Sequence, residues 1–79
     1  MKSRQPGKVS HAKTRFKQRY GRDISTEQLN ALVDLAEANK VISKLSDRGN
    51  LRVKLRIGQE VIHFVYSQAT LQIITFFPA

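Results

Sequence analysis

Cysteine is absent from this 79-residue chain, which excludes disulfide staples and thiolate metal sites. Tryptophan is absent as well. The two histidines have no cysteine near them, and that spacing does not make a zinc site, so no metal and no cofactor is expected. No apolar run approaches the roughly 20 residues that a membrane-spanning helix requires. The amino terminus is basic but lacks the apolar stretch of a secretory signal. These absences point to a cytoplasmic protein with no membrane partner, held together by apolar packing. A chain this short buries only about 60% of its extended surface, so the core is thin and dimerisation would help it.

The most informative absence is that of acid. No Asp or Glu occurs in the first 22 residues, which carry Lys2, Arg4, Lys8, Lys13, Arg15, Lys17, Arg19 and Arg22. From residue 23 onward, Lys40, Lys44, Arg48, Arg52, Lys54 and Arg56 balance Asp23, Glu27, Asp34, Glu37, Asp47 and Glu60. The whole formal charge of +8 therefore resides in the amino-terminal quarter. A concentrated positive field on a neutral body calls for a polyanionic partner, of which nucleic acid is the commonest.

Residues 1–9 mix basic side chains with Pro6 and Gly7 and read as a flexible basic arm. Residues 10–79 read as a single α+β domain. Ser10 is placed to cap a helix over 11–20, and Gly21 supplies a left-handed stop. Ser25 and Gln28 have capping-box spacing, with Ile24 and Leu29 as a hydrophobic staple. Leu29, Leu32, Val33 and Ala36 then form one apolar face of a second helix, which Asn39 ends.

Beyond residue 40 the period changes to two. Leu51, Val53, Leu55 and Ile57 alternate with Arg52, Lys54 and Arg56, which predicts a strand with one dry face and one basic, wet face. Residues 41–45, 61–66 and 71–77 supply three more strands, rich in β-branched and aromatic residues. The turn signals Asp47-Arg48-Gly49-Asn50 and Gly58-Gln59 make the connections short and the neighbours antiparallel. The expected architecture is two N-terminal helices packed on one face of a four-stranded antiparallel meander.

His11, Arg15 and Arg19 recur every four residues and share a stripe on the first helix, beside the apolar stripe Ala12, Phe16 and Tyr20. An imidazole near guanidiniums suits phosphodiester chemistry, because His moves protons near neutral pH and Arg holds phosphate. The same stripe equally suits plain phosphate binding. Lys13, Lys17, Arg22 and the strand cations Arg52, Lys54 and Arg56 extend the expected binding surface, provided that helix and strand share one side of the molecule. His63, between Ile62 and Phe64, reads as a half-buried His or as a second catalytic imidazole. Tyr66 fits either burial or a stacking surface. Phe76 and Phe77 face opposite ways, so one of them lacks an obvious core, which points to a homodimer contact or to cover by a helix.

The segment His11-Ala12-Lys13-Thr14-Arg15-Phe16, with Arg19-Tyr20-Gly21, resembles the "HAxxRxxxR" opening of a group of small phage and bacterial proteins. Their second half is a meander ending in an apolar-Thr-apolar strand, as in Ile74-Thr75-Phe76-Phe77-Pro78. That group is distantly similar to the superfamily of barnase, EndoU, colicin D-like and RelE-like ribonucleases and toxins. The resemblance implies metal-independent RNA cleavage through the ribose 2′-hydroxyl. His11 and Arg15 would serve as catalytic residues on the helix, with Thr75 on the last strand. It also implies RNA rather than DNA as partner, an antidote protein if the chain is a toxin, and the host cytoplasm as location if it is phage-encoded. The alternative is a non-catalytic phage protein that binds nucleic acid, or that docks on an acidic patch of a host protein and inhibits it. A basic-armed virion component is a third.

Overall fold

Two helices precede four strands in the computed structural model, which describes residues 9–78: α1 (Val9–Tyr20), α2 (Thr26–Glu37), β1 (Ser43–Asp47), β2 (Asn50–Ile57), β3 (Glu60–Ser67) and β4 (Ile73–Phe77). The sheet has the order β1-β2-β3-β4 with antiparallel neighbours throughout. It is the α+β meander that the change of hydrophobic period predicts.

The boundaries of α2 follow from local chemistry. Ser25 Oγ accepts from the Gln28 backbone N–H at 3.0 Å, and Gln28 Oε1 accepts from the Ser25 N–H at 2.9 Å, completing the capping box. At the other end Asn39 takes a positive φ of 60°. The Lys44 ammonium donates to the Ala36 carbonyl at 2.9 Å and to Asn39 Oδ1 at 3.2 Å, placing a cation on the negative end of the helix dipole. Arg48 and Gly49 both have positive φ (54° and 84°), the two-residue turn that matches the twist of a hairpin.

Four expectations shift. Helix α1 begins at Val9, so Ser10 lies inside it rather than capping it, and the Ser10 carbonyl accepts from Thr14 Oγ1 at 2.9 Å. Strand β1 starts at Ser43, not at 41, because Asn39 and Lys40 wind off the helix first, with the Lys40 N–H on the Leu35 carbonyl. Strand β4 starts at Ile73, because Leu71 closes a tight turn onto Ser67 with a φ of 57°. Ile57 stays 47% exposed, since at the far end of β2 it borders an open pocket between the sheet and residues of both helices, Phe16, Leu32 and Leu35 among them, rather than packing tightly against them. The expected arm lies almost wholly outside the described residues.

The core sits between the helices and one face of the sheet. Leu51, Val53 and Leu55 from β2, Ile62, Phe64 and Tyr66 from β3, and Ile73 and Phe76 from β4 meet Ala12 and Phe16 of α1 and the apolar face of α2. Phe16 stacks on Tyr20 at 4.8 Å and meets Phe76 edge-on at 4.9 Å, which seats α1 along β4. Tyr66 is fully buried, and its hydroxyl donates to Glu37 Oε2 at 2.6 Å, tying β3 to the end of α2. Burial and that bond to a carboxylate push the phenol well above its ordinary pKa.

Candidate nucleic-acid interface

The alternation that buries Leu51, Val53 and Leu55 sends Arg52, Lys54 and Arg56 to the opposite face, and all three are exposed. No described element covers that face. The strand register arranges it in cross-strand rows. One row runs Leu45, Arg52, Val65, Thr75, and the next runs Ser43, Lys54, His63, Phe77. The open face thus carries three cations, an imidazole and a phenyl ring. Its one carboxylate among the described residues is Asp47, at the β1–β2 hairpin.

Phe77 is the focus of this face. Its ring lies 4.8 Å from the His63 imidazole, its cross-strand partner, and the Arg52 guanidinium crosses β3 to sit 4.9 Å over it. Tyr20 braces the strand from below. Its hydroxyl donates to the Phe77 carbonyl at 2.7 Å and accepts from the His63 backbone N–H at 3.1 Å, so it bridges the last rung between β3 and β4. Partial burial, and then the charges of Lys54 and Arg52, hold His63 below the ordinary pKa of imidazole. A depression of about 260 Å³ opens beside this cluster, lined by Asp47, Asn50, Arg52, Val65, Ile74, Thr75 and Phe77.

Among the described residues, the cations expected to form one electropositive surface beside His11 are spread over α1 and the open face of the sheet. Helix α1 lies in the layer on the covered side of the sheet, with Ala12 and Phe16 turned into the core, whereas Arg52, Lys54 and Arg56 leave from the other side. Thr75 faces the open side with Arg52 and is not gathered with His11 and Arg15. Thr75 thus looks to the open side, whereas the helix that carries His11 and Arg15 turns Ala12 and Phe16 into the core on the covered side. His11 and Arg19 are exposed on α1, and among the described residues the Arg15 guanidinium donates to Gln18 Oε1 at 3.4 Å.

The expected binding cations of the amino-terminal region also divide. Arg22 forms a two-pronged ion pair with Glu60 and lies 5.2 Å over the Phe16 ring. That hydrogen-bonded pairing raises the guanidinium pKa and lowers the Glu60 carboxyl below its usual range. Lys17 faces Asp23 at 3.6 Å. Lys13, Arg15 and Arg19 have no carboxylate partner among the described residues. Arg22 is thus a structural clamp between the α1–α2 linker and β3, whereas Arg52, Lys54 and Arg56 have no carboxylate partner among the described residues.

Phe77 and Tyr20 take part in this face in ways the sequence left open: Phe77 reads there only as a dimer contact or a helix-covered ring, and Tyr20 only as part of an apolar stripe. The parity of β4 held the signal for Phe77: it shares a face with Thr75, and Phe76 takes the core side. Nothing in the local sequence announces the Tyr20 bridge, which spans 57 residues to Phe77. The chain matches no family model, no curated protein and no solved structure, so the geometry of the open face carries the functional conclusion.

Proposed function

We propose that this protein binds single-stranded nucleic acid on the open face of its sheet. The observation that carries the reading is the shared placement of Arg52, Lys54 and Arg56 with Phe77 and His63 on one uncovered surface. Cations at alternate positions of β2 stand about 6.8 Å apart at the usual strand rise of roughly 3.4 Å per residue, forming a track for a chain of phosphates. Single-strand sites combine such a track with rings and guanidinium planes on which unstacked bases lie. A duplex hides its base faces and would use the cations alone. Helix α1 adds Lys13, Arg15 and Arg19 as a second positive region that draws the polyanion in from a distance.

Binding is favoured over metal-independent cleavage because Thr75 looks to the open face while α1, which carries His11 and Arg15, packs its Ala12 and Phe16 into the covered side. It is favoured over docking on an acidic protein because the open face offers an aromatic stacking surface together with its charge. Fluorescence anisotropy with labelled 12-nucleotide RNA and DNA tests the reading. Tight binding in dilute buffer is expected, weakening steeply with salt. For single strands each neutralised phosphate contributes about −0.7 to the slope of log K against log salt. Replacing Arg52, Lys54 and Arg56 together by Ala should flatten that slope by roughly 2. An unchanged slope moves the interface elsewhere, and absence of binding at low salt ends the reading. Shortened RNA in EDTA would instead restore cleavage as the activity.

A further inference from the structure

The depression beside Phe77 differs chemically from the track that leads to it. Arg52, Lys54 and Arg56 offer only donors and positive charge. The depression adds the Asp47 carboxylate, the Asn50 amide and the Thr75 hydroxyl, with Val65 and Phe77 as its apolar wall. Asp47 and Asn50 are directly paired where the β1–β2 hairpin closes, so the turn through Arg48 and Gly49 fixes their backbones. At about 260 Å³ the space falls just short of the roughly 300–1,000 Å³ of sites for drug-sized ligands, a size for one planar base. A phosphate would be repelled by the carboxylate, and a base would not.

We infer that this depression is a base-selective subsite that prefers guanine, resting on the reading of the open face as a single-strand interface. An ionised carboxylate is an acceptor only, with room for two donors side by side. Guanine presents two adjacent donors on its pairing edge, N1–H and the N2 amino group, and can meet both oxygens of Asp47. Uracil offers one N–H flanked by carbonyl oxygens that the carboxylate repels. Adenine and cytosine each set one amino group beside a bare ring nitrogen. The Asn50 amide and the Thr75 hydroxyl can donate to the guanine O6, which Asp47 cannot serve. Phe77 and the Arg52 guanidinium supply the stacking face.

The test compares labelled U10 with the same decamer carrying a single central guanine, against the full chain at fixed salt. The guanine-containing decamer should bind roughly tenfold more tightly, the order of discrimination that a two-pronged base contact gives. D47N should abolish most of that ratio while slightly strengthening U10, because a negative charge leaves the face. D23N, which removes a carboxylate beside α1, should keep the ratio. Equal affinity for the two decamers, or a ratio that survives D47N, overturns the subsite and leaves the interface standing. Failure of both decamers to bind in dilute buffer overturns the interface and the subsite together.

Discussion

Phe76 and Phe77 are adjacent in the chain and belong to different worlds. Phe76 is fully buried among Phe16, Tyr20 and Phe64, with ring centroids 4.9 to 6.1 Å away. Phe77 is only partly buried, on the other side of the same strand, with a histidine beside it and a guanidinium over it. The covered face of the sheet gains its energy from area removed from water, at about 25 cal/mol per Å². The open face spends apolar and cationic surface that folding does not need. A chain of 79 residues has little core to spare, so an aromatic ring left on the open face fits the proposed role of that face in binding.

The sharpest way to break this comparison is to truncate each ring in turn. Phe76→Ala should cost about 3–5 kcal/mol, as deletion of a fully buried Phe does, and take a domain of this size close to global unfolding, read by chemical denaturation. Phe77→Ala should keep a cooperative transition and lose nucleic-acid affinity instead, by about 1–3 kcal/mol for one lost base stack. Equal loss of stability in the two variants would erase the distinction between the faces. So would wild-type affinity in the Phe77 variant.

Tyr20→Phe probes the joint between the faces with a smaller effect. The ring stays to pack on Phe16, while the hydroxyl that bridges the His63 N–H and the Phe77 carbonyl is lost. Two partly buried backbone groups lose their partner, which should cost about 1–2 kcal/mol. Faster amide exchange at His63 should accompany that loss. Destabilisation without a change at His63 would mean that the bridge does not hold the end of β3.

The sequence made the elements legible because their signals are local. The Ser25–Gln28 box, the Arg48-Gly49 turn and the alternation of Leu51 to Arg56 each lie within a few residues, and the structure keeps all three. Ser10 misled because a good capping residue is also tolerated inside a first turn, here with its carbonyl taken by Thr14. The site was legible in its residue types and illegible in its assembly. Strand parity placed Arg52, Lys54 and Arg56 on a wet face, but no local pattern says on which side of the sheet α1 will pack. Phe16 decides that by meeting Phe76 in the core, a pairing 60 residues apart. Once α1 takes the covered side, Thr75 looks to the face opposite the one on which α1 packs, and Arg22 pairs with Glu60.

The smallest expected effect separates the stability of the open face from its use. Partial burial, with Lys54 and Arg52 nearby, lowers the His63 pKa in the folded protein. The unfolded chain, near the ordinary value of about 6.5, then binds the proton more readily. The contribution of a neutral His63 to stability is therefore complete above that value and is lost as pH falls through it toward the lowered folded pKa. A bound phosphate chain acts in the opposite sense, because negative charge favours the imidazolium. Between pH 7.5 and 5.5 the free fold should weaken slightly while affinity for a single strand rises. An exposed ion pair worth about 0.2–1 kcal/mol makes that rise roughly 1.4- to fivefold. His63→Gln should flatten both trends, since the amide cannot titrate. If the affinity trend persists in that variant while the stability trend disappears, the imidazole faces the core side of the balance alone, and the phosphate track runs along β2 without crossing to β3.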